Sequence, residues 1–144
     1  MPKFSKEALL KMMVAAAIAG AVLMIYWPRA MRAYFLWSLH NNVYDDDREI
    51  ADLANDMSRF GLEMIPEVIE RVNPEVCKSI PGRRVAQGAV LLYIDGSYDE
   101  SDILDRDHSS GEAADAYELL LRMWEKNKDK LKWDPRTRKL SRIE

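Results

Sequence analysis

Cysteine is nearly absent from this chain: Cys77 is the only one among 144 residues. A single thiol excludes an intrachain disulfide and any zinc site built on paired cysteines. It reads instead as a small buried apolar group. Histidine is almost as scarce. His40 and His108 stand 68 positions apart, with no cysteine or glutamate at metal-ligand spacing. Six glycines are too few and too scattered to make a phosphate-cradling loop or a dinucleotide fingerprint. No nucleophile–base pair is legible either. The expectation is a protein that is not an enzyme and carries no cofactor. Charge is missing too, in one place: residues 12–27, MMVAAAIAGAVLMIYW, carry none.

That uncharged run organises the rest. A helix crosses the roughly 30 Å hydrocarbon core with about 20 residues. Counting from Ala8 brings the run to that length, with Lys11 in the first turn. A lysine there lays its methylenes through the apolar layer and places its ammonium among the headgroups. Tyr26 and Trp27 close the other end, where amphipathic rings favour the interface, and Arg29 follows. Pro28 marks the expected exit. Ala16, Ala19 and Gly20 recur at helical spacing and offer a smooth face on which a second helix can pack closely. Two other readings compete: a cleaved signal peptide and a buried soluble helix. Ala19-Gly20-Ala21 has a small-x-small pattern, but the apolar run continues past it to Trp27. The expected organisation is therefore an anchor over residues 1–27, a juxtamembrane helix over 28–44, and a small helical domain with a basic tail over 45–144.

The net charge of −3 conceals segregation. Residues 1–44 carry a net +4, residues 45–121 a net −12, and residues 122–144 a net +5. The basic residues before the span point to a cytoplasmic N-terminus and a single-pass topology with the domain outside. An acidic domain between basic ends is not a nucleic-acid binder. The basic tail has three candidate neighbours: anionic lipid, an acidic partner, or the chain's own acidic middle.

Past the anchor, Met31, Tyr34, Phe35 and Leu39 share one helical face. This suits either an interfacial helix lying on the membrane or one docked on the soluble core. Asn41-Asn42 suggests a break. Asp45 to Asp47 suit the start of a helix whose buried stripe is Ile50, Leu53, Ala54 and Met57, closed by Gly61 as a left-handed cap. A second helix follows over 62–72, with Pro66 tolerable only near its start. Pro81-Gly82 reads as another break before a helix whose run from Val85 to Ile94 is apolar on much of its circumference. Ser109 and Glu112 form a capping box for a long helix reaching about Lys130. Its apolar face is Ala113, Ala116, Tyr117, Leu120, Met123 and Trp124. The tail is broken by Pro135 and pinned by Trp133 and Leu140.

Residues 59–70, RFGLEMIPEVIE, resemble the turn and helix of a HEAT-like repeat. Residues 83–89, RRVAQGA, are similar to that family's second pattern, and residues 121–134 resemble the closing segment of some bacterial members. The likeness covers roughly residues 46–140. It implies an all-α domain that presents a concave surface and binds rather than catalyses. Only one or two repeats are countable where about three bury a continuous core, so a compact bundle stands beside it.

One loop invites a metal. Asp95, Asp99, Asp102, Asp105 and Asp107 offer oxygens to a hard cation, but the spacing does not fit an EF-hand. A solvated acidic loop is the reading preferred here. Together these features point to a membrane-anchored structural or accessory subunit, acting in the assembly of an integral membrane protein complex by protein–protein contacts in the lipid bilayer. The alternative is a membrane-tethered adaptor that transiently recruits a soluble partner.

Overall fold

A computed structural model describes residues 5–95 and 110–143 of the chain. It divides into two compact units, Met1–Tyr34 and Phe35–Glu144. Helix α1, Lys6–His40, supplies all of the described first unit except Ser5 and the opening of the second. The second unit continues with α2 (Ile50–Met57), α3 (Ile65–Glu70), α4 (Ile80–Asp95) and α5 (Ser110–Asn127). It closes with two strands, β1 (Leu131–Asp134) and β2 (Lys139–Arg142). The architecture is mostly helical, with one long apolar N-terminal helix.

The expected exit at Pro28 is not found. Proline removes one hydrogen bond, here to the carbonyl of Met24, and its ring crowds the preceding turn, a cost of about 3 kcal/mol. Ending the helix there would leave four carbonyls before the break and four amides after it without partners. One lost bond is the cheaper outcome, and α1 runs on for twelve more residues.

Residues 28–40 therefore continue the anchor's helix. Phe35, Ser38 and Leu39 are buried in the second unit's core, so this part of the stripe docks on protein rather than on lipid. The ring of Phe35 lies 5.2 Å from that of Phe60 and 6.5 Å from that of Tyr44. The expected break at Asn41-Asn42 is present. Asn42 adopts φ 59°, and the Val43 amide reaches back to the Ser38 carbonyl at 3.1 Å, a Schellman closure of α1.

The remaining helices follow their apolar stripes. Asp46 caps the next turn by accepting from the Arg48 amide at 3.1 Å. A short 3₁₀ turn (Asp47–Glu49) then leads into α2, which buries Ile50, Leu53, Ala54 and Met57. Gly61 has φ +78°, and a 3₁₀ turn (Gly61–Met64) carries the chain into α3, with Pro66 in its first turn where the missing amide is harmless. α4 is the centre of the core: α2, α3 and α5 all pack on it, and Val85, Ala86, Ala89 and Val90 are fully buried.

Pro81-Gly82 is not a break. Ser79 accepts from the Gly82 amide at 3.1 Å and caps α4, so both residues fall in its first turn. α5 buries Ala113, Leu120 and Trp124 along its expected face and ends at Asn127, followed by a 3₁₀ turn (Lys128–Lys130).

The C-terminal tail departs from an all-α fold. It is an antiparallel hairpin pairing Leu131 with Arg142 and Trp133 with Leu140. Alternation puts these four on one face, where Leu131 is buried and Trp133 and Leu140 are half-buried. Asp134 builds the turn: its carboxylate accepts from the Arg136 amide and the Thr137 hydroxyl, both at 2.8 Å. The Arg136 amide foremost, and then the Thr137 hydroxyl, hold the Asp134 carboxyl below its usual range. Trp133 lies over Gly61, where an added Cβ would come within 3.0 Å of the indole. Gly61 is thus required twice, for its dihedral and for its flat surface.

Candidate functional site

The first unit is itself the leading site. Among the described residues α1 is the one helix long and apolar enough to cross a membrane, and none of its most apolar window is buried. A helix from a soluble core would be mostly buried, so that reading does not fit. A signal sequence passes the same test of length and composition. Lys11 ion-pairs with Glu7 one turn earlier at 2.8 Å, which balances the charge of this lysine. Tyr26 and Trp27 are about 60% exposed, at 59% and 62%. Arg29 follows them inside α1. Ala16, Ala19 and Gly20 fall at i, i+3 and i+4, hence on one face. A Cβ built on Gly20 would meet nothing within 4 Å, so this face is open. A shallow apolar notch lined by Leu23, Met24, Trp27 and Pro28 sits further along.

The second unit holds a polar node that sequence reasoning missed. Arg71, the residue that ends α3, is 1% exposed at its side chain. Its Nη2 donates to Asp45 Oδ1 at 3.1 Å and to the Tyr44 carbonyl at 3.4 Å. The same Asp45 oxygen accepts from the Ser79 hydroxyl at 3.1 Å. One carboxylate therefore ties the loop after α1 to the end of α3 and the cap of α4. Gly82 makes room for it: a Cβ there would stand 2.6 Å from Asp45 Oδ1 and 2.8 Å from Arg71 Nη2. Nearby, Arg83 Nη1 donates to the Cys77 carbonyl at 2.8 Å, and Cys77 is buried as expected. The missed signal is faint. Arg71 sits beside the apolar stripe Ile65, Val68, Ile69 and Val72, and its counterion lies 26 positions away.

Two further hydroxyls bind carboxylates. Tyr44 donates to Asp56 Oδ2, and burial, followed by that bond, pushes its phenol upward. Tyr117 donates to Glu70 Oε2 at 2.7 Å, and this bond foremost raises its pKa.

The acidic loop contributes little that can be described. Asp95 pairs with Arg142 at 3.3 Å, while Asp99, Asp102, Asp105, Asp107, His108 and Ser109 lie outside the described residues. Among the described residues no three metal-ligating side chains gather. Comparison with family models, curated proteins and solved structures finds no match to the chain.

Proposed function

We propose that the chain is a single-pass membrane protein, held by an uncleaved α1, that serves as a structural or accessory subunit of an integral membrane protein complex. It acts by contact rather than by catalysis. The observation that carries this reading is a helix whose most apolar stretch is wholly unburied, joined to a unit that has closed a core of its own. An unburied helix of this kind is stable only in lipid or against another apolar surface. The open Ala16–Ala19–Gly20 face supports packing on a second membrane helix, while Lys11, Tyr26, Trp27 and Arg29 set its depth. The basic flank before the span supports a cytoplasmic N-terminus and an extracytoplasmic domain. The HEAT-like likeness of residues 46–140 adds a surface that presents itself to a partner.

The test is extraction of native membranes with mild detergent, followed by sizing and intact mass. Expected is a full-length chain that stays with the membrane pellet in alkaline carbonate and co-migrates with an integral membrane partner. A free monomer in detergent would overturn the subunit reading. A mass lacking the residues before Ala21 or Val22 would assign the helix to a signal peptide instead.

A further inference from the structure

Arg71 of the Asp45–Arg71 node also lines a second feature. A pocket of about 200 Å³ opens in the second unit, lined by His40, Asn42, Arg71, Val76, Cys77 and Lys78. Three of the six are basic, one is an amide, and no carboxylate is among them. Asp45, the counterion of Arg71, is not part of the lining.

The donor balance of the pocket is uneven. Arginine carries five N–H donors and no acceptor. The bonds of Arg71 to Asp45 and Tyr44 all leave from Nη2, and its buried Nε has no acceptor among the described residues. Lys78 gives one N–H to the Pro74 carbonyl at 2.9 Å, which leaves two of its three. His40 is exposed at the rim as the last residue of α1. An opposing effect exists, because the carbonyl end of α1 carries partial negative charge. The Schellman closure at Asn42 occupies that end, with the Asn41 and Val43 amides on the Trp37 and Ser38 carbonyls. The charge of Arg71 is balanced by Asp45, so the positive field that remains comes from Lys78, and Arg71 contributes N–H donors.

We propose that this pocket binds a phosphate group. An oxyanion is favoured by a lining of donors without carboxylates, and a phosphate over a carboxylate by the state of the guanidinium. Bidentate recognition of a planar carboxylate uses two adjacent N–H groups of the fork, and Asp45 already holds Nη2, which both forks share. What the pocket offers instead is several separate point donors, suited to a tetrahedral group with oxygens in several directions. Val76 and Cys77 provide an apolar side against which a phosphate ester can lay its carbon chain. The phosphate can come from solution or from a lipid headgroup, and the pocket chemistry is the same for both.

The experiment uses the full chain in a neutral detergent at constant ionic strength. Inorganic phosphate is titrated calorimetrically against a chloride control, and in a second arm mixed micelles doped with phosphatidic acid replace free phosphate. Saturable binding of one equivalent is expected in at least one arm, weakened at least tenfold by Lys78→Glu and by His40→Ala, both of which alter exposed residues outside the core. Lys132→Glu, on the exposed face of the hairpin, serves as a control for general charge and leaves the binding unchanged. Binding in the lipid arm alone assigns the phosphate to a headgroup. No saturable binding in either arm overturns the proposal, as does binding that Lys132→Glu weakens as much as Lys78→Glu. Far-UV circular dichroism of each variant confirms that the fold is kept. None of these outcomes depends on whether the chain is a subunit of a complex.

Discussion

Removing Asp45 tests how the second unit is tied together. Arg71 is 1% exposed and its carboxylate partner 37%. Deleting one partner of a fully buried ion pair costs about 3–5 kcal/mol, because the other charge is left unpaired in a poor solvent. Asp45 is partly hydrated, so the loss in Asp45→Ala is smaller, about 2–3 kcal/mol. The reverse deletion differs in kind. Arg71→Met takes the charge out of the core, keeps most of the volume and leaves Asp45 able to take up water, for a cost of about 1 kcal/mol or less. The double variant is then expected to resemble Arg71→Met and to be more stable than Asp45→Ala alone. Urea denaturation of the full chain in detergent, followed by far-UV circular dichroism, reads all three. The reasoning fails if Asp45→Ala lies within about 0.5 kcal/mol of the parent, the range of an ordinary surface change. It also fails if the double variant is no better than Asp45→Ala.

Gly82→Ala carries a reversed sign. Alanine ordinarily gains about 1 kcal/mol over glycine in a helix, but here its Cβ would press on Asp45 and Arg71, both held in bonds, and a net loss of about 1–3 kcal/mol is expected in the same urea assay. The tyrosines should titrate unevenly when absorbance near 295 nm is followed to high pH. Burial pushes Tyr93 up from 10.0 to about 12 and Tyr44 further still, and the bond to Glu70 raises Tyr117, so part of the absorbance change comes well above pH 10.0. The values of Tyr93 and Tyr44 are raised in the folded state, so the stability they contribute is present below pH 10.0 and is lost as pH climbs through the raised values. Arg138 occupies the left-handed region at φ 53°, and Arg138→Gly should stabilise the hairpin by about 0.5–1 kcal/mol, read as a higher midpoint by Trp fluorescence.

The parts of the fold legible from the sequence were those governed by short-range rules. Gly61 declared its left-handed dihedral, the acids from Asp45 to Asp47 a helix start, and the run from Val85 its burial, because each depends on neighbours within one or two turns. Pro28 and Pro81 misled for a common reason. A proline ends a helix only when the alternative pairing of its neighbours is no worse, and at Pro28 one lost bond weighs less than the eight orphaned groups of two new termini. At Pro81 the cap sits two residues earlier, on Ser79. The hairpin was hidden by length: four-residue strands give too few alternations to stand out from a basic tail, although Asp134-Pro135 with Thr137 is turn chemistry in plain view. The Asp45–Arg71 node joins residues far apart in the chain, and no local pattern encodes such a pair.

The seating of Trp133 on Gly61 has a bearing on how the protein is made. The indole leaves the ribosome some seventy residues after the glycine it covers. Until the hairpin is made, that bend waits bare, next to a growing apolar core. A nascent chain stopped short of residue 131, or a fusion that obstructs the hairpin, would therefore surrender the lid over the bend at Gly61, and quality-control proteases would meet it there.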